Sequence, residues 1–295
     1  NAALQFQPKS IDLLIRKAKI LIATRKFADA DVVVKQVLAL DKSNTAARAL
    51  AENIKDIAAK NKIGISYDYT SFDKQFPDPW HLLSIDYSRS TKLGSVAARI
   101  NYANRFKETG VQYEIDAYPR ISKTFYSYVS VGFTDKEGIF PKSRAGFSLY
   151  ANLPKSFEAE AGFRYLNFGT ETWIYTVYLG KYYKNWLFNA RTYLTPSSST
   201  ISQSYNLGAR YYYAGTADDF VWLNIGTGIS PDDRAIAQQL NSSYKLISNK
   251  ASLSWRFTVK KYNSFSISTG IINQEYLKDT KGNQFELGIG YTRRF

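Results

Sequence analysis

From Lys62 to the C-terminus, apolar and polar residues alternate with a period of two. Leu253, Trp255, Phe257 and Val259 share one face, and Ser252, Ser254, Arg256, Thr258 and Lys260 the other. Ala145, Phe147, Leu149, Ala151 and Leu153 alternate likewise with Arg144, Gly146, Ser148, Tyr150 and Asn152. Val111, Ile115 and Ala117 alternate with Gln112, Glu114 and Asp116. Successive side chains of a strand point to opposite sides, so the pattern predicts a sheet with one apolar and one polar face. Fourteen such segments are expected, beginning near Lys62, His81, Val96, Val111, Thr124, Arg144, Phe157, Thr172, Trp186, Ser204, Asp219, Ala251, Ser264 and Gln284. Each runs about ten residues, which at roughly 3.3 Å per residue and a tilt near 40° spans roughly 25 Å, the apolar height of an outer membrane.

Residues from about Ser10 to Lys60 follow a different period. They contain no Pro or Gly, and apolar residues recur at helical spacing: Ile11, Leu14, Ala18, Leu21 and Ile22, then Ala30, Val33, Val34, Val37 and Leu40. Lys26-Phe27-Ala28-Asp29 reads as the turn between two helices. Asp41-Lys42-Ser43-Asn44 reads as a stop and a cap for a third helix from Thr45 to about Ala59. The domains are therefore expected to be a helical segment of residues 1–61 and a barrel of residues 62–295.

With the N-terminus placed in the periplasm, the outward connections include Phe72–Trp80, Thr134–Lys142, Thr195–Ser202 and Ser230–Lys245. The inward turns Ser90–Gly94, Ser122–Lys123, Pro154–Ser156, Lys184–Asn185 and Lys260–Asn263 are mostly tight. Short periplasmic turns, longer external loops and an even strand count are the habit of outer-membrane barrels. The fold class is therefore mainly β, a transmembrane antiparallel up-and-down barrel of about 14 strands, with 12 as the alternative count. A soluble sandwich or smaller soluble barrel would bury the apolar face in a core and would not need such uniform strands. Composition agrees with the membrane reading. The 23 Tyr and 18 Phe can supply interfacial girdles, and no apolar run is long enough for a transmembrane helix. The chain begins at Asn1 with no export signal, as a processed form would.

The last segment reads Phe285-Glu286-Leu287-Gly288-Ile289-Gly290-Tyr291-Thr292-Arg293-Arg294-Phe295. Phe285, Leu287, Ile289, Tyr291 and the terminal Phe295 share one face, as in the C-terminal assembly signal that the barrel-assembly machinery reads by strand addition. Arg293 departs from that pattern. The stretch Lys26 to Asn44, with Phe27 at a turn and Ala18 and Ala30 at small packing positions, resembles a tetratricopeptide repeat. Lys42 stands where that repeat usually has proline, and Val34 where it has a larger residue. A short helical-repeat segment followed by a Tyr-rich barrel, with stretches such as Gly162–Trp186, resembles the YaiO family of outer-membrane proteins. That resemblance carries no assigned catalytic residues. Through larger relatives with repeats and a barrel, it implies export of surface polysaccharide.

The polar face supplies the candidate chemistry. By parity, Asp68, Asp86, Glu114, Asp116, Glu158, Glu160 and Glu286 point inward. So do Arg99, Arg120, Arg144, Arg164, Arg191, Arg210, Arg256 and Lys260, with Tyr118, Tyr150, Tyr178, Tyr193 and Tyr212 among them. These residues can form an ion-paired filling that stabilises the barrel, or a polar conduit that draws in an anionic glycan. The assignments rest on unbroken parity, which looks uncertain at Ile271-Ile272. Glu158 and Glu160 as a hydrolytic pair are the remaining alternative. The single histidine, His81, has outward parity, which argues against a Ser–His pair in the lumen. Trp80, Trp173 and Trp186 are expected in the aromatic belt.

The formal net charge of +14 divides as 11 Lys/Arg against 6 Asp/Glu up to Lys60, leaving 28 against 19 beyond it. No basic cluster concentrates it, which points away from nucleic acid and toward lipopolysaccharide phosphates, anionic headgroups or an acidic glycan. Cysteine is absent, and no metal, phosphate-loop or dinucleotide motif is present, so no cofactor is expected. The expected partners are the bilayer and lipopolysaccharide, the barrel-assembly machinery, a periplasmic protein held by residues 10–60, and a glycan. The expected function is transport or export, with a closed structural barrel in a larger envelope complex as the alternative.

Overall fold

The computed structural model describes residues 2–24, 26–136, 138–196, 201–214, 216–228, 248–277 and 279–295. The chain divides into two compact units, residues 1–60 with 294–295, and residues 61–293. No described helix is long and apolar enough to cross a membrane.

The first unit carries helices α1 (Ala2–Phe6), α2 (Ile11–Ala23), α3 (Phe27–Leu40) and α4 (Thr45–Ala58). Leu14 and Ala18 of α2, Ala30, Val33, Val34 and Val37 of α3, and Ala47 and Ile54 of α4 form its core. Ala18, Ala30 and Ala47 are completely buried, so small side chains set how closely the helices approach. Asn44 caps α4, its Oδ1 accepting from the Ala47 N–H at 3.0 Å. Asp41 accepts from the Ser43 backbone N–H at 2.9 Å and closes the preceding turn. The expected turn at Lys26–Asp29 is shifted: Phe27, Ala28 and Asp29 already belong to the first turn of α3. Phe27 packs on the helical core, and burying its ring favours extending the helix back to it.

The second unit is a closed barrel of fourteen antiparallel strands, each hydrogen-bonded to its neighbours in sequence, with the last strand closing onto the first. The strands are β1 (Asn61–Phe72), β2 (Trp80–Thr91), β3 (Gly94–Arg105), β4 (Glu108–Pro119), β5 (Phe125–Thr134), β6 (Ser143–Leu153) and β7 (Phe157–Asn167). They continue as β8 (Glu171–Tyr183), β9 (Trp186–Pro196), β10 (Ile201–Tyr212), β11 (Phe220–Thr227), β12 (Ser248–Val259), β13 (Asn263–Leu277) and β14 (Thr280–Arg294). The outer surface is apolar all round, with Ile65, Ile85, Ile115, Val131, Leu179, Leu207, Ile225, Ile267 and Ile289 all exposed. Aromatic pairs such as Tyr113–Phe133, Tyr165–Trp173, Trp186–Tyr211 and Phe265–Tyr291 run across the same outer face. A continuous exposed apolar belt on a barrel without free edges is a lipid-facing surface.

Connections at the two barrel ends differ less than the sequence reading expects. The β1–β2 and β5–β6 connections are long, but β3–β4 turns through Phe106 and Lys107 alone, both at positive φ. Two positive φ values are what a two-residue hairpin with the strand's own twist requires. At the opposite end, the β10–β11 connection is a seven-residue loop rather than a tight turn. The expected loop at Ser230–Lys245 and the tip of the one at Thr195–Ser202 lie outside the described residues. Parity holds through Ile271-Ile272, with Ile271 outward and Ile272 buried inward; the one register shift of this hairpin falls later, between Glu275 and Leu277. Lys260 sits in the β12–β13 turn with φ of 51°, not on the inward face. Arg120 lies just beyond β4, exposed and bridged to Tyr126.

The closing seam is pinned by Asp73. Its carboxylate accepts from the Asn283 backbone N–H and side-chain amide, both at 2.7 Å, and its own N–H donates to the Asn283 carbonyl. The Asn283 backbone N–H is the main reason that the Asp73 carboxyl is held below its ordinary value. A depressed carboxyl stabilises the fold above its unfolded value, and that contribution disappears as pH falls through the folded one. Carbon-13 titration of the full chain in micelles is expected to show Asp73 ionising below the ordinary aspartate range, with the Asn283 amide shift moving in step. An Asp73→Ala variant is expected to abolish the Asn283 step.

Candidate functional site in the barrel lumen

Inward side chains of β3 to β6 form a charged cluster. Arg99 on β3 donates to Glu114 and to Asp116 on β4, each at 3.0 Å. Arg144 on β6 reaches Glu114 at 2.7 Å although β5 lies between them. It can do so because Gly132 is the inward residue on β5 there. A Cβ at Gly132 would stand 2.9 Å from Arg144 Cγ and 3.1 Å from Glu114 Cγ. Asn101 adds a hydrogen bond to Glu114 at 3.1 Å, and the Tyr128 hydroxyl one to Asp116 at 3.3 Å. Two cations and two donors thus satisfy a carboxylate pair that neighbouring registers would otherwise set against itself.

A second cluster spans β6 to β9. Glu160 accepts from Arg191 at 2.5 Å and from the Ser148 hydroxyl at 2.6 Å, and Arg164 lies 3.6 Å away. The Arg191 guanidinium sits 4.9 Å from the Tyr178 ring centroid and 5.9 Å from that of Tyr193. Glu158 accepts from the Tyr126 hydroxyl at 3.1 Å, and Tyr126 stacks on Tyr150 with centroids 4.6 Å apart. Toward the tight-turn end, Asp218 stands 3.4 Å from Arg256 and 3.8 Å from Lys62.

These walls enclose a cavity of about 820 Å³. Of the inward charges proposed from sequence, it gathers Arg99, Asp116, Arg144, Glu158, Arg164, Arg191 and Arg210. Glu114 and Glu160 lie behind that lining, both almost fully buried. Asp68, Asp86, Arg120, Arg256 and the further inward acid Glu286 lie outside it. The sequence reading missed Tyr126, Tyr128, Tyr182, Asn189, Asn206, Trp222, Asn224 and Lys250, which also line it. Parity was the available signal, since each faces the same side as a predicted inward residue of its own or a paired strand. Among the described residues, no three His, Asp or Glu side chains converge as metal ligands.

The long-loop end is packed. Trp80 is 2% exposed and faces inward, correcting its expected place in the lipid belt. It contacts Phe72, Phe76 and Phe106, and Arg105 lies 5.5 Å from its ring centroid. Ile139 and Phe140 of the β5–β6 connection fold against Leu82 and Ala103, over the space left by Gly110. Leu166 and Ile174 on one wall, and Ile272, Gln274 and Gln284 on another, are equally buried at this end. Trp173 and Trp186 are exposed on the outer face as expected.

Removing one member of a satisfied buried cluster strands its partners. Glu114→Gln is expected to lower stability by about 3–5 kcal/mol, measured by denaturant unfolding in vesicles. Glu108→Gln, whose partner Lys136 lies 3.1 Å away with both side chains more than half exposed, is expected to cost less than about 1 kcal/mol.

No curated protein matches the sequence. Several solved barrels are similar to it. A bacterial polysaccharide outer membrane secretin superposes with a TM-score of 0.53 at 9% identity, covering 80% of this chain and 99% of its own. An outer membrane protein of Acinetobacter baumannii gives 0.49 at 11% identity, covering 80% and 99%. An anion-selective porin from Comamonas acidovorans gives 0.43 at 10% identity, covering 81% and 99%. The family model of the YaiO membrane β-barrel domain matches residues 60–233. That match takes in more than half of the chain and runs from the start of the first strand past the eleventh, so the chain belongs to the YaiO membrane β-barrel family.

Proposed function

We propose that this chain is an outer-membrane transport barrel for an anionic, hydroxyl-rich solute, the class to which surface polysaccharides belong. The observation that carries this reading is the lining of the lumen cavity. Six cations, Arg99, Arg144, Arg164, Arg191, Arg210 and Lys250, face it with two carboxylates, Asp116 and Glu158. Counting the buried Glu114 and Glu160 as well still leaves six against four. Cationic linings favour anions in pores, and seven tyrosines around the same space offer rings and hydroxyls for sugars. The polysaccharide secretin that shares the fold supports the substrate class.

In this reading the helical segment is a tetratricopeptide-like module in the periplasm. Its few helices have a small core, and a periplasmic partner held through residues 10–60 would extend it. The outer face of exposed Phe285, Leu287 and Ile289 with half-buried Tyr291 suits recognition of β14 by the barrel-assembly machinery and then contact with lipid and lipopolysaccharide. Hydrolysis is the weaker reading, because Glu160 is held by Arg191 and Ser148 and Glu158 by Tyr126. A closed structural barrel has one observation in its favour, the packed long-loop end around Trp80, Ile139 and Phe140.

Single-channel recording of the refolded full chain in a planar bilayer separates the two. Ohmic steps with anion-selective reversal potentials, reduced by added oligosaccharide, are the expected result. Correctly folded protein without conductance would overturn transport and leave the structural barrel. Phe140→Ala thins the packed end and is expected to raise the conductance or the open time; an unchanged record would show that this end does not limit passage.

A further inference from the structure

The lumen walls are not equivalent. Arginines on β3 to β9 meet carboxylates, whereas the wall formed by β9 to β12 presents Asn189, Asn206, Arg210, Trp222, Asn224 and Lys250 to the cavity with no carboxylate in its lining. Pairing holds these residues side by side. Arg210 lies opposite Trp222, Asn224 opposite Gly208, and Asn206 and Lys250 both opposite Gly226.

Among the described residues, four of the nine buried side-chain atoms without a hydrogen-bond partner lie on this wall. Asn206 is 7% exposed, yet neither its amide nitrogen nor its oxygen has a hydrogen-bond partner. Trp222 Nε1 and Arg210 Nε are unpartnered as well. Arg210 is oriented by two rings, its guanidinium 4.5 Å from the Phe220 centroid and 4.6 Å from that of Trp222. Buried polar atoms are nearly always satisfied, and leaving several unsatisfied together costs more than any of them returns as packing. Two glycines keep the wall shallow. A Cβ at Gly208 would stand 2.8 Å from both Asn189 Nδ2 and Trp222 Nε1, and one at Gly226 would strike the Asn206 oxygen. The amides and the indole therefore lie over bare backbone instead of standing against side chains.

The geometry points to a binding subsite on this wall for an anionic sugar residue, one carrying a carboxylate or phosphate. Arg210 and Lys250 supply charge that no wall carboxylate neutralises. The Asn206 amide, with a donor and an acceptor free, matches a sugar hydroxyl, and the Trp222 N–H supplies a further donor. The Asn189 and Asn224 amides extend the polar surface. The inference rests on the transport reading for its substrate class, but it needs no open pore.

The test is a titration of the full chain in detergent micelles with three probes: oligogalacturonate, a neutral maltooligosaccharide and inorganic phosphate. Binding is followed by calorimetry and by intrinsic fluorescence, and folding of every variant is checked by heat-modifiable gel migration. Saturable binding of oligogalacturonate is expected, stronger than that of either other probe. Arg210→Gln and Asn206→Leu are each expected to weaken it by about tenfold or more. Trp222→Phe removes the N–H donor but keeps an aromatic ring beside Arg210, and is expected to weaken binding less while abolishing the fluorescence response. Phosphate binding as tightly as the oligomer would reduce the site to a simple anion site and overturn the sugar assignment. Equal binding of the neutral oligomer would overturn the requirement for charge. Affinity unchanged in folded Arg210→Gln and Asn206→Leu, or no binding of any probe, would overturn the subsite. Conductance without this binding would leave transport standing and remove the subsite; binding without conductance would do the reverse.

Discussion

Every other feature of the barrel depends on the requirement that backbone N–H and C=O groups inside a bilayer be paired within the protein. Fourteen strands closed from β14 onto β1 meet that requirement. Closure makes side-chain parity absolute, because a one-residue slip would turn a strand's polar inward set, which on β3, β4 and β7 includes arginine or glutamate, into lipid. Asp73, clamped to Asn283 across the seam, opposes such a slip there.

The same constraint concentrates charge inside, and charge taken from water must be paired. The lumen meets this by letting partners reach across strands. Gly132 clears the path between Arg144 and Glu114. Gly146 does the same for Arg164, whose Cδ would lie 3.0 Å from a Cβ added there. Glycine in a strand interior weakens the local sheet, and at Gly132 the weakness is offset by the Arg144–Glu114 ion pair, which a larger residue would crowd. Rigidity on this side of the lumen therefore comes from electrostatics and not from an apolar core.

The barrel was legible because its pattern is dictated by solvent on both sides. Phe157 and Trp186 begin strands where the alternation begins. β14 starts four residues before Gln284, because Thr280, Lys281, Gly282 and Asn283 pair through their backbones without any apolar alternation. The inward arginines and acids within strands were legible for the same reason, whereas Arg120 and Lys260 fall past strand ends, where parity no longer applies. Tyr126, Tyr128, Trp222 and Trp80 were not legible, since aromatic residues serve equally in a lipid girdle and in a lumen. Asn189 and Asn206 carried no charge to attract attention. Helix positions were set by spacing, but Phe27 drew the first turn of α3 into what read as a loop.

One asymmetry of the lumen is written in the order of the residues themselves. Between Thr172 and Glu275 the only acids are Asp218, Asp219, Asp232 and Asp233, and none lies in a described strand. The preceding strands carry Asp86, Glu114, Asp116, Glu158 and Glu160. An up-and-down barrel maps chain order directly onto angle around its axis, so this segregation along the chain becomes a difference between opposite walls. On one wall Arg99, Arg144, Arg164 and Arg191 are spent on internal carboxylates, which favours a fixed shape. On the other, Arg210 and Lys250 meet amides and rings, whose hydrogen bonds a solute can complete. A barrel selected only for stability would have no reason to leave those groups unpaired while acids are available elsewhere in the chain. The unequal walls are what a lumen built to hold something would retain.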